Sequence, residues 1–291
     1  MLNDKIRQAA AYIHRADALI ITAGAGIGID SGLPDFRGID GFWRAFPPLR
    51  RLGKNFQNMA TPTLFRTDPH LAWGFYGWRL NSYRHTEPHQ GFHLLKQWAD
   101  SKKHGAFIFT SNVDGQFQKT GFPDNRIIAC HGSIHDLQCT GHCHDQTWSA
   151  DSFMPQIDEQ TCRLQNSLPV CPKCGALARP NILMFDDWEW LEEPTMTRLR
   201  QFEQWLHEIR CPVIIEIGAG SAIHTVRRFS DRIARRLHAP LIRINPDEAQ
   251  VGQEHHIGLA MGGLAALQEI ALLSYDVVND WKINDMALRK H

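Results

Sequence analysis

Two pairs of closely spaced cysteines are the residues of this chain with the most specific chemical meaning. Cys139 and Cys143 are separated by three residues and Cys171 and Cys174 by two, with 27 residues between the pairs. Four thiolates brought together by such turns are the ligands of a tetrahedral zinc ion with no open position. The pattern therefore predicts one structural Zn²⁺ per chain. The alternative, four free thiols, would leave this loop-rich segment without a core of its own.

A glycine-rich turn follows the first apolar run of the chain and is typical of a phosphate site. Residues 18–22 form the run, and the small residues Ala23, Gly24, Ala25 and Gly26 follow it directly. Small residues let backbone N–H groups approach an anion, and the N-terminus of a following helix adds a favourable dipole. Taken alone the turn is weak evidence, because a strand, turn and helix without a ligand have the same pattern.

The loop beyond this turn carries side chains that a purely structural turn does not require. An aspartate, an aromatic residue and an arginine follow the glycines as Asp35, Phe36 and Arg37. These residues are therefore candidates for ligand binding.

Small or polar residues also follow the later apolar runs, at residues 106–110, 212–217 and 240–244. Ligands bind outside the carboxyl ends of the strands in open parallel sheets, so these residues are expected to share one crevice with the glycine turn. The candidates in these positions are Ser111, Asn112, Asp114, Gly218, Ser221, Asn245 and Pro246.

His131 follows a short apolar run at residues 127–130 and precedes a glycine, which predicts a position at a strand end in the same crevice. A neutral imidazole near pH 7 can accept a proton from a hydroxyl group, so His131 is a candidate general base. A purely structural histidine is the alternative. Asn112 and Asp114 supply an amide and a carboxylate that can recognise a carboxamide or order a water molecule.

Apolar strands alternate with amphipathic helices along the chain, which predicts a parallel, doubly wound sheet. The fold class is α/β: a Rossmann-like sheet with a small zinc-binding domain and a helical module inserted. We expect the main domain to comprise residues 1–136 and 180–291, and the zinc-binding domain residues 137–179. Residues 40–90 contain the helical module, whose aromatic residues either pack a small core or form a mobile cover.

Composition and charge argue against several classes of protein. The chain has 31 Lys and Arg against 31 Asp and Glu, so no overall field favours nucleic acid. No apolar run is long enough to span a membrane, and the N-terminal residues do not read as a secretory signal. These features and the paired cysteines predict a cytoplasmic protein without nucleic-acid or membrane partners. The arginine-rich stretch at residues 227–236 is either a local binding patch or a solvated helix face.

In this order, the motifs resemble the sirtuin family of NAD-dependent protein deacylases, and the chain is similar to a divergent bacterial-type member. The chain differs from the family pattern at Gly28, where serine is usual, and at Ser111, where glutamine is usual. The matching motifs, from about residue 18 to residue 266, are GAGIGIDSGLPDFRG, TSNVDG, CHGS, the two cysteine pairs, ARPNILMF, GAGS and INPDE.

The resemblance implies a reaction between NAD and an acyl-lysine protein or peptide. Nicotinamide would leave as the acyl oxygen attacks the ribose, His131 would be the general base, and O-acyl-ADP-ribose would be released. Residues 179–185 would form the edge that pairs with the acyl-lysine peptide, and zinc would only hold the small domain. The residues implied to bind NAD are Ala23, Gly24, Ala25, Gly26, Asp35, Phe36, Arg37, Ser111, Asn112, Asp114, Gly218, Ser221, Asn245 and Pro246.

Two other functions could use the same NAD site. One is transfer of ADP-ribose to a protein, which divergent sirtuin-like proteins perform, often with the catalytic histidine replaced. The other is non-catalytic sensing of NAD or ADP-ribose. The presence of His131 favours deacylation, whereas the unusual loop that begins at Gly218 leaves sensing open. The acyl group, the target protein and the oligomeric state stay open.

Overall fold

The computed structural model describes residues 2–34 and 38–273, and a six-stranded parallel sheet lies at its centre. The strands are β1 Ala18–Ala23, β2 Ala106–Thr110, β3 Ile127–Ala129, β4 Gly132–Cys139, β5 Trp148–Ser149, β6 Ile157–Asp158, β7 Arg163–Leu164, β8 Ala178–Ile182, β9 Pro212–Ile217, β10 Leu241–Ile244 and β11 Ile257–Leu259. The large sheet has the order β11-β10-β9-β1-β2-β3, so the strand before the glycine turn lies inside the sheet.

Helices cover both faces of this sheet, which confirms the predicted doubly wound α/β fold. The helices are α1 Leu2–Arg15, α2 Gly38–Ala45, α3 Pro47–Arg51, α4 Phe56–Met59, α5 Pro62–Thr67, α6 Pro69–His85, α7 Gln90–Asp100, α8 Gln116–Lys119, α9 Glu193–Leu206 and α10 Thr225–Leu237. The first and seventh helices and a last helical segment at residues 263–273 pack on one face. The ninth and tenth helices pack on the other. No helix among the described residues is both long and apolar enough to cross a membrane.

The side chains of β1 are buried along its whole length because both sheet faces are covered. Leu19 and Ile21 belong to the core on the side of α1, whereas Ala18 and Ile20 belong to the core on the opposite side. Alternate side chains of a strand point to opposite faces, so a strand buried on both sides reads as a continuous apolar run. Burial on both faces explains why β1 can be recognised in the sequence as an uninterrupted apolar run.

The helical module predicted within residues 40–90 is a cluster of short helices with an aromatic core. The ring centroids of Phe46 and Phe75 are 5.0 Å apart, and those of Phe46 and Trp78 are 4.7 Å apart. Such contacts stabilise the module beyond the area that they bury. Of the two interpretations of these aromatic residues, the structure thus favours a packed core.

The segment with the cysteine pairs contains strands that its composition does not indicate. Strand β4 pairs antiparallel with β8 and with β5, and β6 pairs with β7. Strand β4 begins at Gly132, directly after His131, so the smaller sheet is joined to the large sheet at the candidate base. The domain boundaries expected from the sequence stay a prediction.

A buried ion pair ties β9 to β10 below the candidate crevice. The Glu216 and Arg243 side chains are 1% and 6% exposed, and Arg243 Nε donates to Glu216 Oε1 at 2.5 Å. A second guanidinium nitrogen donates to Asp231 Oδ1 at 2.9 Å. Removing one member of such a pair leaves an uncompensated buried charge, which is far more costly than losing an exposed pair.

We therefore expect Glu216→Gln to lower the free energy of unfolding by about 3 kcal/mol. Urea denaturation followed by circular dichroism measures this change. The matched control is Glu203→Gln, which removes a pair with Arg236 whose side chains are 51% and 46% exposed. Its effect should stay below about 1 kcal/mol. Equal effects of the two substitutions would contradict a stabilising role for the buried pair.

Candidate functional site

The glycine turn after β1 lies directly against the loop after β9. Gly24 N donates to Ile217 O and Gly26 N donates to Gly218 O, both at 3.0 Å. A Cβ on Gly24 would lie 2.7 Å from Gly218 O, and a Cβ on Gly26 would lie 2.7 Å from Gly218 Cα. Side chains at these positions would therefore separate the two loops. The close approach of two backbone segments at the ends of parallel strands is typical of a dinucleotide-binding turn.

The departure from the family pattern at Gly28 does not change this turn. A short 3₁₀ helix spans Ala25–Ser31, and Gly28 is buried within it. A Cβ at Gly28 would meet only the Leu33 side chain, with its nearest atom 3.1 Å away. A serine would thus need only a small movement of one flexible side chain. The candidates at positions 35–37 lie outside the described residues.

The loop after β2 is hydrogen-bonded to the glycine turn. Asn112 Nδ2 donates to Gly24 O at 3.1 Å, and Ser111 N donates to Ala23 O at 3.1 Å. Thr110 Oγ1 donates to Ala23 O and accepts from Asn112 N, both at 3.0 Å. Thr110 was not among the predicted site residues, although a hydroxyl at the end of a buried strand was a signal for it. These bonds fix the position of the Asn112 side chain.

His131 lies beside this loop at the end of β3. Its ring is partly buried and hydrogen-bonds to the Ser111 backbone, and burial lowers the pKa of His131 below its usual value of 6.5. Desolvation disfavours the charged imidazolium, so the ring is neutral at pH 7 and able to accept a proton. The carbonyl oxygen of His131 accepts a hydrogen bond from Leu183 N at 2.9 Å. The candidate base is therefore connected to the end of β8.

Asp114 is buried behind the loop, where its carboxylate accepts a backbone hydrogen bond and is influenced by the charge of Arg79. Its Oδ1 accepts from Gln116 N at 2.9 Å, and its backbone oxygen is 2.9 Å from His135 Nε2. Burial raises the pKa of Asp114, while Gln116 N, His135 and Arg79 act in the opposite direction. Asp114 is thus enclosed by its own partners, whereas Asn112 is the more accessible of the two.

Arg79 is the residue near the site that the sequence interpretation missed. It comes from α6, is 6% exposed, and donates from Nε to the Tyr83 hydroxyl at 3.0 Å. Its guanidinium lies over the rings of Phe75 and Tyr76 at 5.3 and 5.4 Å. A charged residue within the apolar face of a helix was the available signal, because such residues are rarely buried without a specific partner.

The loop after β9 is held by the loop after β10. Asn245 is buried, donates to Ala219 O at 3.0 Å, and accepts at 2.9 Å from the backbone N–H groups of Asp247 and Glu248. Ser221 Oγ donates to Glu248 Oε1 at 2.9 Å. Ser221 and Pro246 are exposed, whereas the side chain of Asn245 is directed at backbone groups. Asn245 therefore positions the loops.

Arg227 provides a further support for the same loop. Its Nε donates to Ala219 O at 3.0 Å, and its guanidinium also hydrogen-bonds to Glu248 O. It was recognised in the sequence only as part of an arginine-rich stretch. Arg227 lies in the first turn of α10. It therefore stabilises the loop after β9 instead of forming part of a solvated helix face.

The contacts join the glycine turn to the loops after β2 and β9 at one end of the sheet, as predicted. The individual roles of these residues toward NAD stay predictions. The sequence-predicted residues linked by direct contacts are Ala23, Gly24, Gly26, Ser111, Asn112, His131 and Gly218.

The four paired cysteines form a cluster with the dimensions of a zinc site. Cys139 Sγ lies 3.6 Å from Cys174 Sγ, and Cys143 Sγ lies 3.7 and 3.6 Å from the sulfurs of Cys139 and Cys171. Zinc–sulfur bonds of about 2.3 Å in a tetrahedron require sulfurs about 3.8 Å apart. His144 Nε2 is 3.5 Å from Cys171 Sγ, but the four sulfurs complete a tetrahedron without it. The residues present therefore fit one structural zinc ion.

We expect purified protein to contain about one zinc per chain and Cys171→Ser to lose it, because three thiolates leave the tetrahedron incomplete. Metal analysis by mass spectrometry measures the content. Cys211→Ser is the control, since Cys211 is exposed and lies outside the cluster. Unchanged zinc in Cys171→Ser would show that the cluster is not the metal site.

Comparison with known proteins identifies the family. Residues 24–224 match the model of the Sir2 family. An NAD-dependent protein deacylase of Pyrococcus abyssi is 32% identical over 80% of this chain and 83% of its own length. One of Aeropyrum pernix is 30% identical over 84% of this chain and 87% of its own. A solved Sir2 homologue in complex with NAD, at 23% identity, has the same fold, with a TM-score of 0.69 over 92% of this chain and 93% of its own.

The chain therefore belongs to the Sir2 family, which confirms the resemblance to sirtuins. The match to the family model begins at Gly24 and ends at His224, so it includes the glycine turn, the candidate base and both cysteine pairs.

Proposed function

We propose that this chain is an NAD-dependent protein-lysine deacylase that releases nicotinamide and O-acyl-ADP-ribose. The family membership and the names of its relatives bear out this enzyme class. The observation that carries the proposal for this chain is the position of the His131 ring, which hydrogen-bonds to the Ser111 backbone beside the loop that carries Asn112. Burial lowers the pKa of His131, which favours the neutral ring. A neutral histidine can remove a proton from a hydroxyl group, and the presence of His131 favours deacylation over transfer of ADP-ribose to a protein.

The residues of the site have separate tasks in this proposal. Gly24, Gly26 and Gly218 let the two loops close on each other, and the phosphates bind against the loops joined in this way. Asn112 is fixed through Gly24 O, and its side-chain oxygen, which has no hydrogen-bond partner among residues 2–34 and 38–273, can orient the carboxamide half of NAD. NAD supplies the bond to nicotinamide that is broken and the ribose that accepts the acyl group. His131 holds the proton that its imidazole takes from a ribose hydroxyl.

The remaining assignments belong to the same proposal. Ser221, Asn245 and Pro246 shape the adenosine side, and residues 179–185 pair with an acyl-lysine peptide. Residues 137–179 act as a zinc-binding unit, with residues 1–136 and 180–291 forming the NAD-binding unit. The zinc stabilises this smaller unit and has no place in the chemistry, because four thiolates leave no open position on the metal.

His131→Ala should lower the rate of O-acyl-ADP-ribose formation at least about a hundredfold, because it removes the proton acceptor. The assay incubates protein, NAD and acylated peptides of several chain lengths, and follows nicotinamide and O-acyl-ADP-ribose by mass spectrometry. His14→Ala on α1 is the control and should retain full activity. Labelled ADP-ribose attached to protein, without any acyl product, would instead indicate an ADP-ribosyltransferase. Binding of NAD without turnover would indicate a sensor.

The pH profile of kcat/KM should show an acid limb whose midpoint lies below 6.5. Burial lowers the pKa of His131 below the ordinary histidine value of 6.5. The ring therefore becomes protonated, and unable to accept a proton, only at a pH below 6.5. Initial rates between pH 5 and 8 measure the limb, with tryptophan fluorescence at each pH to verify that the protein stays folded. An acid limb with its midpoint above 6.5 would contradict His131 as the base.

A further inference from the structure

A cavity of about 570 Å³ opens beside the end of β8, outside the candidate NAD site. Its walls come from two regions that are distant in sequence: the helices α4 and α5 on one side, and the residues after β8 on the other. The residues used in the argument below are Lys54, Gln57, Thr61, Leu64, Phe185 and Asp186. We call this space the flanking cavity. Its lining is mostly polar, with Leu64 and Phe185 as the apolar parts.

The flanking cavity is continuous with the edge that the proposed function assigns to the acyl-lysine peptide. Leu183 N donates to His131 O, and Phe185 N donates to Ala60 O, both at 2.9 Å. Two residues of extended chain span at most about 7 Å. If a peptide pairs with this edge as proposed, a residue one or two positions from its acyl-lysine would therefore lie beside the cavity. A side chain next to the acyl-lysine can reach it.

One carboxylate in the lining of the flanking cavity has no partner among the described residues. Most acidic residues after β8 have partners: Asp187 pairs with the buried Arg179, and Glu189 with Arg66. Asp186 is exposed, has a left-handed backbone with φ of 54°, and has no ionic or hydrogen-bonding partner among residues 2–34 and 38–273. It is available to a cation that enters from solvent.

An unusually exposed aromatic side chain follows this carboxylate by two residues in the chain. Trp188 is 96% exposed, and Phe185 is 42% exposed. The side chain of Asp187 between Asp186 and Trp188 is fully buried in its pair with Arg179. A carboxylate together with an indole face is a favourable environment for guanidinium and ammonium groups. Large aromatic residues that stay exposed in the free protein are also typical anchors of binding surfaces.

We infer that the flanking cavity, with Asp186 in its lining and Trp188 two residues further along the chain, selects protein substrates that carry an arginine or lysine one or two residues from the acyl-lysine. The carboxylate pairs with the cation, the indole packs over it, and side-chain oxygens such as those of Gln57 and Thr61 accept its remaining N–H groups. Lys54 is the cationic residue in the lining and opposes this selection. The inference rests on the proposed function for the identity of the ligand.

The test uses a set of acyl-lysine peptides in which one arginine, glutamine or glutamate is placed at each position from two before to two after the acyl-lysine. We expect kcat/KM to rank arginine above glutamine above glutamate at one of these positions. Asp186→Asn should lower the value for the arginine peptide about three- to tenfold, in the range of partly exposed ionic and cation–π contacts. Lys54→Gln should raise it, and Trp188→Ala should lower it.

Two controls separate this inference from the proposed function. A single acyl-lysine with blocked termini has no flanking side chain, so Asp186→Asn should leave its turnover unchanged. Equilibrium binding of the same peptides, measured by calorimetry without turnover, should give the same ranking. Equal affinities for the three peptides, or a ranking that Asp186→Asn does not change, would overturn the inference even if deacylation occurs. Absence of turnover with every peptide, with the ranking retained in binding, would instead contradict the proposed function alone.

Discussion

The close contact between the glycine turn after β1 and the loop after β9 is the constraint on which the rest of the site depends. Gly26 N donates to Gly218 O, and a Cβ on Gly24 or Gly26 would come within 3 Å of the backbone of the opposite loop. Parallel pairing of β1 with β9 brings the two loops to the same end of the sheet. Asn112 then extends this arrangement to the loop after β2, so three strand ends behave as one unit.

Buried charges surround this unit, and each has compensating partners. Glu216 pairs with Arg243 beneath the loops, and Asp114 lies near the aromatic-enclosed Arg79 behind them. The burial that raises the pKa of Asp114 lowers the pKa of His131, because desolvation disfavours whichever form is charged. The same low-polarity surroundings therefore require partners for the carboxylate and keep the histidine in the neutral form that proton transfer needs.

His131 also connects the large sheet to the smaller one. Strand β4 begins at the next residue, and the carbonyl oxygen of His131 is hydrogen-bonded to Leu183 N at the end of β8. The cysteine pairs lie between the last residue of β4, which is Cys139, and the start of β8. Neighbouring sulfurs in the cluster are 3.6 to 3.7 Å apart. The zinc cluster thus supports the two strands that position the proposed peptide edge, although it is remote from the chemistry.

The sequence by itself determined the fold class, the zinc cluster and the place of His131. Apolar runs that end in glycine, and thiols at fixed short spacings, are local patterns whose physical meaning does not depend on distant residues. Only the tertiary structure showed that Arg79 lies near Asp114, that Asn245 acts on backbone groups, and that Asp186 lines a cavity without a partner in the part of the chain that the structure describes. These features depend on which distant segments meet and on which charges are already compensated, and spacing along a chain contains neither kind of information.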